Sequence, residues 1–220
     1  KSGNFSTDSS KDYTVKIDVD GLEPDTWYFY EFTAYGKNSL TGRTKTAASG
    51  DKNQLRFATV SCSNYPVGFF NAYDRIRDRN DIEAVFHLGD YIYEYANSIL
   101  ALRQVEPESE IIKLADYRIR HSIYKLDPDL RSIHQQYPFI TVWDDHETAN
   151  NSFQDGAENH DASEGTWQDR KSAGVKAYDE WLPIRLPEDG NELKIFRKIP
   201  YGDLADIFML DTRLYERDEQ

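Results

Sequence analysis

The sequence predicts a mixed α/β chain: a parallel sheet with helices, preceded by the closing strands of a small β-sandwich. Three observations carry that reading. Tyr13 to Thr46 is rich in alternating aromatic and β-branched residues. From Leu55 onward, short apolar strands alternate with helical stretches, as in βαβ units. Three of those apolar strands end in polar clusters, where parallel sheets gather their functional residues.

Taken in order, residues 1–12 are polar and Ser-rich and read as a frayed terminus. Tyr13, Val15, Ile17 and Val19 alternate with Thr14, Lys16 and Asp18, which predicts a strand with one buried face. A turn at Gly21–Asp25 leads into a second strand over Trp27–Tyr35 and a weaker third over Thr41–Thr46. Three strands are the end of a sandwich, not a whole one, so 1–50 is assigned to a first domain and 51–220 to a second. Ala47–Gln54 is small and polar, a linker.

Leu55–Val60 is a strand, and Phe69–Arg79 an amphipathic helix with Phe69, Ala72, Tyr73 and Ile76 on one face. Ala84–Leu88 is a buried strand. Residues 96–110 carry no clear pattern. Lys113–Tyr124 and Pro128–Gln136 are helices, the latter with Asp127 as N-cap and Pro128 at the first helical position. Phe139–Trp143 is a third buried strand and Asn150–Gly165 a polar loop. Thr166–Trp181 is a long helix ending before Pro183, and Ile195–Ile199 and Leu204–Leu210 are two strands around Tyr201-Gly202-Asp203.

Composition narrows the function. With 220 residues, 39% hydrophobic, the chain can bury a core. The formal charge of −13 argues against a generic nucleic-acid or anionic-membrane binder. An acidic protein that handles phosphate must supply positive charge locally, most simply with metal ions. No apolar run approaches the ~18 residues of a membrane span, and the start, Lys1-Ser2-Gly3-Asn4-Phe5, lacks a leader's apolar core. The single cysteine, Cys62, excludes an internal disulfide and a Cys-rich zinc site. It is a buried small residue, a reactive thiol or a lone metal ligand.

The strand-end clusters are Ser61-Cys62-Ser63-Asn64, His87-Leu88-Gly89-Asp90-Tyr91-Ile92-Tyr93-Glu94-Tyr95 and Trp143 to Asn151. Carboxylates suit hard cations, with Asn or water completing the shell. A thiolate or phenolate suits a more acidic ion such as iron. Read singly, each signal has a plainer alternative. Gly89-Asp90 can be a simple turn, Tyr93 a core aromatic and Cys62 an inert thiol. His87, inside an apolar strand, reads as a satisfied core histidine. His121, His134 and His160 read as structural or solvent-exposed. Asp144-Asp145-His146-Glu147 is too dense in ionisable groups for a solvated loop alone.

Together these segments resemble the alkaline phosphatase D (PhoD) family of metallophosphatases. The resemblance rests on Val60 to Ser63, His87 to Tyr95, Tyr117 to His121, Leu126 to Leu130, Val142 to Glu147 with Asn150-Asn151, and Leu210 to Arg213. It covers about residues 13–215. It implies a two-sheet αββα sandwich preceded by the end of a small β-sandwich domain of the Fn3/Ig-like kind, and hydrolysis of phosphate mono- or diesters by metal-activated water. By the same resemblance Asp90 would bridge two metals, and Cys62 and Tyr93 would be thiolate and phenolate ligands to Fe3+. Asn150, with Asp145 beside it, would serve Ca2+, and His146 would orient the substrate. Asp90, Asp145 and His146 are thus the implied catalytic residues. The resemblance also implies export to the periplasm or beyond.

The family draws further Asp and His ligands from a later Gly-Asp-x-His-like segment. Here the last histidine is His160, and Gly202-Asp203 runs into Leu204-Ala205. The chain therefore resembles an N-terminal half, with the C-terminal half as implied partner. A non-catalytic or calcium-binding remnant and a purple-acid-type phosphatase are the alternatives.

Overall fold

In the computed structural model, which describes residues 1–187 and 193–219, three short apolar segments build the sheet that positions everything else. β5 (Phe57–Val60), β6 (Ala84–His87) and β7 (Phe139–Thr141) pair in parallel, in the order β5-β6-β7. All four residues of the central strand β6 are buried, as a parallel strand covered on both faces requires. The register pairs Val60 with His87 and His87 with Thr141. The three strands therefore end level, and the segments after residues 60, 87 and 141 emerge side by side.

Among the described residues there are four α-helices: α1 (Asn71–Arg77), α2 (Leu114–Leu126), α3 (Pro128–Gln136) and α4 (Trp167–Trp181). α1 packs on α3, and α2 packs on α3 and α4. The expected cap is present, with Asp127 Oδ1 accepting from Asp129 N and Leu130 N at 2.9 Å each. The tyrosine load goes inside. Tyr91, Tyr117, Tyr124, Tyr137 and Tyr178 are almost wholly buried. A buried phenol usually finds a partner: Tyr117 donates to the Thr148 carbonyl, and Tyr124 accepts from Tyr65 N at 3.1 Å.

The N-terminal strands are shorter than the sequence pattern suggests. β1 (Trp27–Tyr30) pairs with β4 (Gly42–Lys45), and β2 (Thr33–Ala34) with β3 (Lys37–Asn38), all antiparallel. The run predicted over 27–35 is interrupted at Glu31-Phe32 and ends where the chain turns back at Tyr35-Gly36, both at positive φ as a type I′ turn requires. The alternating stretch at 13–19 forms no strand: it has no ladder partner among the described residues, and Val15 and Val19 are exposed. Residues 8–12 are docked, not frayed, while 1–6 are exposed. Arg118 donates to the Ser9 and Ser10 carbonyls, Trp181 Nε1 donates to Asp12 Oδ2 at 3.0 Å, and Asp8 caps a short 3-10 turn at Ser9–Lys11.

A hairpin of β8 (Arg197–Tyr201) and β9 (Ala205–Met209) touches both edges of the parallel sheet. Tyr201 packs on Phe57 with ring centroids 4.9 Å apart, and Arg197 donates to the Thr141 carbonyl at 2.9 Å. Gly202 N and Asp203 N donate to the carbonyls of Ala48 and Gly50, so the polar 47–54 segment anchors the turn of this hairpin. The irregular stretch 93–109 is organised by one buried guanidinium. Arg120 donates to the carbonyls of Tyr93, Tyr95, Glu106, Pro107 and Ser109.

Candidate metal centre

The level strand ends bring the three polar clusters together. Immediately after β5 and β6 the backbone bends sharply: Cys62 and Asp90 both have positive φ, 58° and 54°. Two hydrogen bonds tie the bends to each other, Cys62 N to the Gly89 carbonyl at 3.1 Å and Ser63 N to the Asp90 carbonyl at 2.8 Å. Gly89 is required beside them. Its φ is +109°, and a Cβ there would lie 2.4 Å from Asp144 N, on the third strand end.

Ligand atoms of Asp90, Asp145 and His146 lie within 4.8 Å of one another. Asp90 Oδ2 accepts from the Tyr93 hydroxyl at 3.1 Å, while Asp90 Oδ1 is buried with no hydrogen-bond partner. An acceptor left alone in the interior is costly. Burial raises the Asp90 carboxyl above the usual carboxylate range, helped by Asp145 and Asp144 and opposed by His146. Burial pushes the Tyr93 phenol far up, with Asp90 and Cys62 beside it adding to the effect. Each of these groups wants a cation. An orphaned carboxylate oxygen, a second carboxylate, an imidazole, a phenol and a thiol form a donor set that fits hard or borderline metal ions.

The other predicted residues are distributed around this group. Cys62 is exposed, so the inert buried thiol is ruled out, and its side chain adjoins Tyr93. Asp145 Oδ2 accepts from Asn151 N at 2.6 Å, and Arg213 approaches Asp145 Oδ1 at 3.4 Å. Asn150 donates its backbone N–H to Glu94 Oε1 at 2.7 Å and its side-chain amide to Glu158 Oε2 at 3.3 Å. His146 stacks on Tyr93 with centroids 4.3 Å apart, and its Nδ1 lies 2.7 Å from Glu94 Oε2. Burial disfavours the imidazolium, but Glu94, Asp90 and Asp145 outweigh it and hold His146 above its ordinary pKa.

Supporting residues that the sequence reading left without a role are now visible. Glu147, fully enclosed, accepts from Tyr91 N and from Asp144 N, and burial together with Asp90 pushes its carboxyl up to about 8. Arg213 pairs with Asp144, and Asp211 accepts from Trp143 Nε1 at 2.9 Å. Glu94 is wholly buried. Its signal in the sequence was an acid inside the run Tyr91-Ile92-Tyr93-Glu94-Tyr95, which must find partners if that run is buried. His87 is the satisfied core histidine expected, bonded to Ser63 Oγ at 3.1 Å and pushed down to about 3 by burial and by Lys125. His121 is buried and His134 half-buried, packed on the Phe139 ring, so neither is a solvent-exposed histidine.

Comparison with known proteins identifies the family and the fold. Residues 57–220 match the PhoD-like phosphatase family, and residues 1–48 match the PhoD-like phosphatase N-terminal domain. The chain is 37% identical over 216 residues to alkaline phosphatase D of Bacillus subtilis (strain 168), covering 94% of this chain and 36% of that protein. A solved structure of PhoD superposes with a TM-score of 0.86 at 35% identity, over 96% of this chain and 42% of that one. A purple acid phosphatase from yellow lupin (Lupinus luteus) seeds gives a TM-score of 0.48 at 18% identity, over 83% of this chain and 29% of that one. The chain thus spans well under half the length of the relatives it matches. On its sequence and fold together, it belongs to the PhoD-like phosphatase family.

Proposed function

We propose that this chain carries part of the active site of a metal-dependent phosphoesterase that hydrolyses phosphate mono- or diesters. The observation that carries the reading is the Asp90–Asp145–His146 group with its buried, unpartnered Asp90 Oδ1. In this reading Cys62, Asp90 and Tyr93 would hold Fe3+, and Asp90, Asp145 and Asn150 would hold Ca2+. The ions supply the positive charge that activates water and neutralises the phosphate oxygens.

The chain's own residues do the rest. The bends at Cys62 and Asp90 bring a thiol and a carboxylate from neighbouring strand ends to the two sides of Tyr93. His146, kept readily protonated, donates a hydrogen bond to an anionic phosphate oxygen and fixes the orientation of the ester. Residues 1–50 are the closing strands of a β-sandwich domain and 51–220 the N-terminal half of the catalytic domain, which the C-terminal half completes. The relatives' family implies a periplasmic or extracellular enzyme. No helix of the described residues is long and apolar enough to cross a membrane.

Elemental analysis of the gently purified chain, followed by assay on p-nitrophenyl phosphate and bis-p-nitrophenyl phosphate, tests this. Near-stoichiometric iron that is lost in Cys62→Ala and Asp90→Asn supports the reading; a chain that takes up neither iron nor calcium refutes it for these residues. The fraction of the relatives' length that is spanned favours one second reading, a metal-binding piece without turnover. Metal uptake with no hydrolysis of either ester is its signature.

A further inference from the structure

Three consecutive residues from one strand end hold the ring of His146, which comes from another. Tyr93 stacks on it at 4.3 Å, Tyr95 meets it edge-on at 5.3 Å, and Glu94 lies between them with Oε2 at 2.7 Å from Nδ1. We propose that Glu94 is the positioning residue of the centre, fixing His146 through Nδ1 and the Asn150 turn through its backbone N–H.

The geometry assigns every part of this carboxylate a task. Glu94 is wholly buried, where a carboxylate persists only if both oxygens are satisfied. Oε2 lies 2.7 Å from His146 Nδ1; Oε1 accepts from the Asn150 N–H at 2.7 Å and from the Asn159 amide at 2.9 Å. The Asn159 amide also reaches Glu110 Oε1 at 3.0 Å, and Glu110 is paired with Arg170. The backbone on either side of Glu94 is pinned by Arg120, which donates to the carbonyls of Tyr93 and Tyr95. Neither the carboxylate nor the peptide that carries it is free to drift.

The consequence for His146 follows from hydrogen-bond chemistry. A carboxylate at Nδ1 requires a proton there whether the ring is neutral or cationic, so Nε2 is left as the nitrogen for a metal or substrate oxygen. Carboxylates bonded to the far nitrogen of a functional histidine orient the ring and raise its basicity, and their loss typically costs ~10–100-fold in metal affinity or activity. Because the same carboxylate accepts from the Asn150 backbone N–H, one side chain fixes both a histidine and the backbone turn at Asn150. The metal-affinity part of this proposal rests on the phosphoesterase reading; the hydrogen-bond part does not.

The test uses the whole chain and two readouts. Nitrogen-15 NMR of the metal-free chain reports which ring nitrogen of His146 bears the proton, with His146→Gln providing the assignment. Chelator competition reports affinity for Fe3+ and Ca2+. In the wild type, a proton on Nδ1 protected from exchange is expected. Glu94→Gln keeps the size but offers one acceptor atom, and its amide NH2 must face a donor. It is expected to lose or shift that resonance and to weaken metal binding about 10–100-fold. A wild-type His146 with Nδ1 unprotonated overturns the proposal without any variant having to fold. So does a folded Glu94→Gln that binds both metals within twofold of wild type. If the wild type binds neither metal, the phosphoesterase reading fails, and the Nδ1 result alone decides the role of Glu94.

Discussion

Lys125 shows how strongly a single buried group can set the chain's response to pH. Its stem is half-buried, but its ammonium ends inside, 3.1 Å from His134 Nε2 and 4.8 Å from the Tyr91 ring centroid. Among the described residues it has no carboxylate partner, and burial pushes its pKa down to about 7. The unfolded lysine remains charged up to its ordinary 10.5. The folded state binds fewer protons between those values, so this contribution to stability rises with pH from about 7 to 10.5 and the penalty is full below 7. Lys125→Met should therefore stabilise the chain at pH 6–7 by about 1 kcal/mol or more, on a scale of ~1.4 kcal/mol per pKa unit. The advantage should shrink towards pH 10. Urea denaturation of both proteins across that range measures it, and a pH-independent difference contradicts the account. Nothing in the sequence announced this lysine: its helix spacing is ordinary, and only the packing of α2 on α3 encloses its end.

At the scale of elements, the irregular stretch 93–109 depends on α2. Arg120 replaces the ladder that this stretch lacks, with one planar guanidinium answering carbonyls from both of its ends. Lysine cannot reproduce that fork. Arg120→Lys should cost about 2–4 kcal/mol, since hydrogen bonds from a charged donor contribute ~1.5–3 kcal/mol each and several are lost. Hydrogen exchange should quicken over 93–109 while the α2 amides stay protected. Uniform loosening of the whole chain would mean that Arg120 serves the core at large.

The elements themselves were largely legible. The three parallel strands, the helices with their Asp127 cap and the βαβ order follow from apolar runs and spacing that local physics reads directly. The strand over 13–19 was not, because alternation records what a segment could pair with and not whether a partner is present. The docked N-terminus was not either, since Arg118 and Trp181 reach it from more than 100 residues away. For the centre, Asp90, Asp145 and His146 were readable from their place after apolar strands. Glu94 and Glu147 became meaningful only once burial forced each to find partners.

The whole molecule is acidic, at −13, and gathers Asp90, Asp145 and the unpartnered Asp90 Oδ1 at one end of the parallel sheet. Metal binding should therefore act as a folding ligand. At a hundredfold excess over Kd, one bound ion adds about 2.7 kcal/mol. Calorimetry with Fe3+ and Ca2+ should raise Tm, and the increment should vanish in Asp90→Asn. An equal rise in that variant would place the ions elsewhere on the acidic surface.

The level strand ends also have a consequence for synthesis. The centre cannot close until Thr141 and the segment after it have left the ribosome, about 80 residues after Cys62 has emerged. At ~5–20 residues per second, that interval lasts roughly 4–16 s. Throughout it the thiol is open to oxidants and to adventitious metals. Cys62 is the single cysteine of these 220 residues, so no disulfide among them competes with the metal for its sulfur.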